Sequence, residues 1–248
     1  MARVVSIANQ KGGVGKTTTS INLAVALALA GRKCLLLDID PQTNATSGLG
    51  LEPADRHPLA TNRPMHEAIE PADVEGLSVL PGSQSLADAD ALSSPNLQRA
   101  ASLRQELANG LSSFDDVLID CPPSLGQLTR AALAASTEVF IPIQCEYFAM
   151  EGLTQMVELI RQTKARDNHR LRIGGILLTM FDSSLELAHE VADEVREHFG
   201  DGVFRTIIPR DVAISEAPSH GKSVIQYDPR ARGTRAYVEL CLEVLDRG

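Results

Sequence analysis

Nine residues near the N-terminus, Gln10-Lys11-Gly12-Gly13-Val14-Gly15-Lys16-Thr17-Thr18, limit what this chain can fold into more than any others do. An apolar run over 4–8 precedes them, and a helical pattern over 16–30 follows. A strand, a glycine-rich turn and a helix N-terminus in that order build a phosphate cradle. The glycines let backbone N–H groups close around an anion, and the helix dipole favours negative charge there. In such a cradle Lys16 reaches the β- and γ-phosphates and the Thr17 hydroxyl sits on Mg²⁺. Where the general phosphate-loop pattern has a glycine five positions before its last one, this chain has Gln10. A second lysine, Lys11, stands beside it. Two cations on one loop repel unless phosphates need both. Lys11 therefore folds onto its own nucleotide, crosses a two-fold axis onto a partner's, or stays a solvated loop lysine.

Further apolar runs lie at 34–37, 77–80, 117–119, 139–143, 173–179 and 203–208. Helical patterns at 97–111, 127–135, 150–164 and 185–199 separate most of them. Near-continuous apolar strands alternating with helices predict an α/β fold, a mostly parallel, doubly wound sheet covered on both faces. With 248 residues, 44% of them apolar, the chain fits one domain, 1–248, with ample core. Residues 52–76 are rich in proline and acids and read as a surface excursion with a short helix near 65–69. No apolar run reaches the 18 or more residues of a membrane helix, and no basic leader with an apolar core opens the chain. A cytoplasmic protein without a membrane partner is expected. Cys34, Cys121, Cys145 and Cys241 have no C-x-x-C spacing and read as buried free thiols.

In sheets of this kind ligands bind outside the C-terminal ends of the strands. Asp38 and Asp40 fall on that edge, two residues apart, so both project the same way from an extended strand end before Pro41 stops it. Acids beside a phosphate site need a cation between them and the anion, which implies Mg²⁺. Asp120 ends the run 117–119 just before Cys121-Pro122-Pro123, the Walker B arrangement. Thr17, Asp38 and Asp120 are expected to hold the metal. Asp40 is expected to orient the attacking water, and Lys11 and Lys16 to stabilise charge on the phosphates.

Lys11 to Thr18 resembles the deviant Walker A motif of the ParA/MinD superfamily. Leu37-Asp38-Ile39-Asp40-Pro41-Gln42 is similar to its switch I, and Asp120-Cys121-Pro122-Pro123-Ser124-Leu125 to its switch II. Ile208-Pro209-Arg210-Asp211 and Ser215-Glu216-Ala217-Pro218-Ser219-His220-Gly221-Lys222 resemble the Soj-type, chromosome-partitioning ParA branch. The resemblance runs nearly end to end and is weakest over 52–100. It implies an ATPase that uses ATP and Mg²⁺ and forms a nucleotide-sandwich homodimer. It makes Lys11 the lysine that contacts the partner's phosphates and Gly12 the point of close subunit approach. Gly13, Val14, Gly15, Lys16, Thr17 and Thr18 then hold the nucleotide, with Met180, Pro209 and Asp211 near the adenine. Such ATPases bind nonspecific DNA as ATP dimers and are released by a ParB-like stimulator.

Two arginines that the branch commonly carries for DNA are replaced here by Ser184 and Ala213. Each lost phosphate contact weakens DNA binding and flattens its salt dependence. The net charge of −9 works in the same direction. Residues 52–116 carry 11 acidic and 4 basic side chains, whereas 203–235 carry six basic and three acidic ones. DNA contacts would then fall to Arg205, Arg210, Lys222, Arg230 and Arg232. The alternative is the same ATP switch positioning a protein cargo, or using a scaffold other than DNA. A MinD-like membrane cycle needs a basic amphipathic C-terminal helix, and the chain ends in an acidic one. An iron–sulfur role like that of the nitrogenase iron protein has only Cys121 and Cys145 to draw on.

Overall fold

The computed structural model describes residues 2–61, 63–87, 103 and 113–248. The chain opens with β1 (Arg3–Ile7), α1 (Lys16–Leu29), β2 (Cys34–Asp38) and α2 (Asn44–Gly48). A short pair, β3 (Glu70–Pro71) and β4 (Leu77–Leu80), follows, and then β5 (Asp116–Asp120) and α3 (Gln127–Ala135). The second half holds β6 (Glu138–Gln144), α4 (Ala149–Arg166), β7 (Arg172–Phe181), α5 (Glu186–Phe199) and β8 (Val203–Pro209). Three helices close the chain: α6 (Val212–Glu216), α7 (Val224–Tyr227) and α8 (Arg232–Arg247). The strands form one eight-stranded sheet in the order β3-β4-β2-β5-β1-β6-β7-β8. Every pairing is parallel except β3 with β4. The predicted mostly parallel, doubly wound sheet is therefore the one observed.

Both faces are covered, which is why the strands read as continuous apolar runs. One core packs α3, α4 and α5 against the sheet through residues such as Leu35, Ile119, Ile141 and Leu178. The other packs α1 and α8 on the opposite face through Val5, Leu36, Phe140 and Tyr237. All four cysteines are buried and free, as expected. The helix predicted over 97–111 lies outside the described residues, save Leu103, which is buried in the first core. The excursion over 52–76 carries a 3₁₀ turn at Met65–Ala68, close to the short helix predicted there. Its strand β3 has only two residues, too short for any periodicity to reveal.

The two rims of the sheet are finished differently. At one end stands β3, with Pro71 in it. At the other, the main chain of β8 is covered by side chains of α8. Glu243 accepts from Arg205 N (2.8 Å) and Thr206 N (2.9 Å), and Arg247 Nη2 donates to Val203 O (2.9 Å).

Candidate functional site

The glycine-rich turn leaves β1 and enters α1 at the C-terminal edge of the sheet. Gly13 and Gly15 have φ of 73° and 83°, the left-handed region that costs glycine nothing. Buried polar groups pin the turn from below. Asn9 Nδ2 donates to Pro142 O (2.7 Å), and Asn9 Oδ1 accepts from Lys11 N (3.1 Å). The Thr179 hydroxyl on β7 lies 2.9 Å from both Val14 O and Ile143 O, tying the turn to β6 and β7. Lys16, the first residue of α1, is buried, and its Nζ donates to Lys11 O (2.8 Å). Burial pushes its pKa down, while Asp120 and Asp40 nearby pull it back up.

Beneath the helix N-terminus, Thr17 Oγ1 donates to Asp120 Oδ2 (2.8 Å) and Ser20 Oγ to Asp120 Oδ1 (2.7 Å). Asp120 is fully buried at the end of β5. Burial, and then the charge of Asp38, raises its pKa to about 8, against the hydrogen bonds from Ser20 and Thr17. Asp38 is also fully buried; desolvation raises its pKa to about 6. Two buried carboxylates raised in this way mark a place where added positive charge is favourable. The hydroxyl and carboxylate oxygens of Thr17 and Asp120 are the hard donors that suit Mg²⁺. Among the described residues no three acidic, histidine or cysteine side chains form a metal cluster.

A cleft of ≈ 240 Å³ opens above this floor, lined by Gly12, Gly13, Gly15, Lys16, Thr17 and Thr18, with Asp40, Gln42, Asn44 and Pro123 across from them. Asp40 faces it; Asp38 does not line it. Two residues off the strand end, the turn sends Asp40 outward, whereas Asp38 turns inward onto Thr46. A second cleft of ≈ 290 Å³ adjoins the first through Gly15, Thr18 and Met180. It is walled by Ile208, Pro209, Arg210, Asp211 and Ile214, with Tyr237 of α8 among its lining residues. Met180, Pro209 and Asp211 thus come together as a group. Met180 has a φ of 50°, rare outside glycine, where the two clefts meet. The Asp211 carboxylate is already occupied: it accepts from Ala213 N (3.1 Å) and Gly233 N (2.9 Å), capping α6 and joining it to α8.

Lys11 reaches sideways. Its Nζ lies 2.9 Å from Glu146 Oε2, with both side chains substantially exposed. The basic residues divide. Arg232 Nη2 donates to Arg210 O (3.4 Å), and both guanidiniums help hold the exposed Asp182 carboxyl below its ordinary value, after the Ser184 hydroxyl and N–H that do most of it. Lys222 and Arg230 are exposed on neighbouring turns. Arg205 does not join them. It lies near the opposite end of β8, roughly 16 Å along the strand from Arg210, with its guanidinium 3.7 Å from Glu243.

Asn9, Ser20, Thr46 and Thr179 were not legible as site residues in the sequence. One partner of each lies far off for Ser20 and Thr179: Asp120, 100 positions away, and Val14, 165 away. The only sequence signal is a polar side chain inside an otherwise apolar run.

The sequence profile of the AAA_31 family, an AAA domain, matches residues 2–173. The sporulation initiation inhibitor protein Soj of Bacillus subtilis is 47% identical over 253 residues, covering 100% of each chain. The chromosome partitioning protein ParA of Myxococcus xanthus is 45% identical over 252 residues, covering 100% of this chain and 89% of that one. Among solved structures, cobyrinic acid a,c-diamide synthase of Mycobacterium smegmatis with bound ADP and magnesium is 34% identical, with a TM-score of 0.83. The superposition covers 99% of this chain and 94% of that one.

Proposed function

The chain belongs to the ParA/Soj family of partitioning ATPases within the ParA/MinD superfamily, and from that premise we propose that it is a Mg²⁺-dependent ATPase working as a nucleotide-switched homodimer. The observation that carries the reading is the assembly at the start of α1. A buried Lys16, a Thr17–Asp120–Ser20 floor and an outward Asp40 surround one phosphate-sized cleft. The mycobacterial relative holds ADP and magnesium in the same fold. The N–H groups of the turn and the helix dipole hold the phosphates, and Lys16 exchanges its carbonyl partner for them. Thr17 and Asp120 would hold the Mg²⁺, which would neutralise charge on the phosphate oxygens. Asp40 orients the water at the wall of the cleft, where positioning matters more than base strength. The base occupies the second cleft, between Met180 and Pro209.

Lys11 completes the partner's site. An ion pair as exposed as Lys11–Glu146 is worth only about 0–1 kcal/mol, so it releases readily to a phosphate across the dimer axis. The ATP dimer binds nonspecific DNA, and a ParB-like protein stimulates hydrolysis and releases it. Ser184 and Ala213 in place of arginines, and Arg205 apart from the other basic residues, favour a second reading: the same switch positions a protein cargo or uses another scaffold.

The deciding experiment uses the Asp40→Ala chain, expected to bind ATP, dimerise and not hydrolyse it. It is run by gel filtration and with random-sequence duplex DNA, with ATP or ADP, across a salt series. Dimerisation and salt-sensitive DNA binding that both require ATP support the partitioning reading. A dimer that ignores DNA supports the second reading, and a chain that stays monomeric with ATP refutes the switch itself.

A further inference from the structure

Asp38 lies behind the wall that Asp40 presents to the phosphate cleft, and its surroundings are specific. Its Oδ2 accepts from both Thr46 N (2.9 Å) and Thr46 Oγ1 (2.6 Å). Its Oδ1 accepts from Asp40 N (3.2 Å). Thr46 Oγ1 in turn accepts from Gly82 N (2.8 Å). Thr46 is fully buried and so joins three segments: the end of β2, the first turns of α2 and the chain just after β4. The packing there is tight. A Cβ on Gly82 would stand 2.8 Å from Asp38 Cγ.

The chemistry leaves this hydroxyl one orientation. A carboxylate only accepts and an amide only donates, so the Thr46 proton points to Asp38 and its lone pair to Gly82. The Asp38 rotamer is thereby fixed, and with it the amide of Asp40. From that turn the Asp40 carboxylate reaches the cleft, where it accepts from Gln42 N (2.9 Å). Between the two anchors the chain passes through Thr43, whose φ of 56° is a strained conformation for a β-branched residue. A strained segment keeps its shape only when its neighbours over-determine it. Thr46 supplies that constraint on one side and Asp40 on the other.

We propose that Thr46 is a positioning residue for ATP hydrolysis, acting through Asp38 to set the turn that aims Asp40 at the phosphate cleft. The proposal rests on the ATPase reading above and assigns a task to Asp38 as well: its oxygens hold the turn instead of the metal. Thr46 itself touches neither nucleotide cleft.

The test compares Thr46→Val, which keeps the shape and loses the hydroxyl, with Thr46→Ser, which keeps it. Three quantities are measured on the full chain: kcat for ATP, the Kd for a fluorescent N-methylanthraniloyl ATP, and hydrogen exchange at the Asp40 amide. In Thr46→Val, kcat is expected to fall about ten-fold or more, because misplaced catalytic groups lose rate steeply. Nucleotide affinity should stay within about two-fold, since the cradle is untouched, and the Asp40 amide should exchange faster. Thr46→Ser should return all three towards the parent. Adding Asp38→Asn to Thr46→Val should cost little more, as expected of one pathway. A Thr46→Val chain with parental kcat and parental exchange overturns the proposal. So does a serine variant as slow as the valine one, or an affinity loss as large as the loss in kcat. If the parent chain binds nucleotide but never hydrolyses it, the ATPase reading falls and takes this proposal with it. Unchanged Asp40 exchange in an active Thr46→Val chain removes the positioning role alone.

Discussion

Lys16 holds its charge in a poor place for one. It is buried, and its ammonium donates to a main-chain carbonyl rather than to a carboxylate. Phosphate is a better acceptor, so the side chain is poised to exchange partners. Lys16→Ala should weaken nucleotide affinity at least about thirty-fold, the equivalent of one or two charge-assisted hydrogen bonds. Fluorescent-ATP titration checks this, and affinity within a few-fold of the parent would move the phosphate site elsewhere. Thr179 does its work out of sight, bridging the turn to β6 and β7. Thr179→Val removes the one hydroxyl proton that Val14 O and Ile143 O share and should cost about 1–3 kcal/mol in urea unfolding. The contrast explains what the sequence could disclose about the site. Lys16, Thr17 and Asp120 follow from spacing, because the phosphate loop and the strand end are each local. Thr179 and Asn9 act on chain 165 and 133 residues away, and nothing local announces that.

Three neighbouring strands, β1, β6 and β7, begin on one ionic cluster at the sheet edge opposite the clefts. Arg3 Nε donates to Glu138 Oε1 (2.8 Å) and Arg172 Nη2 to the same oxygen (3.0 Å). Glu138 also faces Arg172 in the β6–β7 register, so the cluster helps fix that pairing. Burial alone would raise the Glu138 carboxyl, but the two arginines outweigh it and hold the carboxyl below its ordinary value. A depressed carboxyl adds stability above its unfolded pKa, roughly 4.3, and that contribution is lost as pH falls through the folded value. Glu138→Gln should therefore be less stable than the parent near neutral pH, with the gap narrowing in acid below about pH 4. Urea midpoints from pH 3 to 7 test it, and parallel profiles would refute the assignment. At this scale the sequence was generous for long elements. The runs at 34–37 and 139–143 fall inside β2 and β6, because strands buried on both faces are apolar throughout. It disclosed nothing of β3, two residues held by pairing with β4 rather than by any pattern of their own.

The C-terminal helix α8 spans much of the molecule. Near its start, Gly233 N holds Asp211 at the second cleft, and Tyr237 is among that cleft's lining residues. Towards its end, Glu243 occupies two adjacent amides of β8. Glu243→Ala should lower stability by about 1–3 kcal/mol, because a carboxylate that accepts from two part-buried amides is lost. It should also raise light scattering on storage, because an edge strand with bare amides recruits other strands. Unchanged scattering would show that other contacts protect that rim. The opposite rim needs no such guard, since β3 offers two residues and one is Pro71. Among the described residues, neither rim offers a long run of bare amides to a strand from another copy. That guards against the nearly irreversible chemistry of fibres and leaves the face of the glycine-rich turn, away from both rims, for the proposed pairing of two copies. In the ATP dimer proposed above, what joins two copies would be a molecule that can be cleaved, so the assembly would have a clock that a fibre would lack.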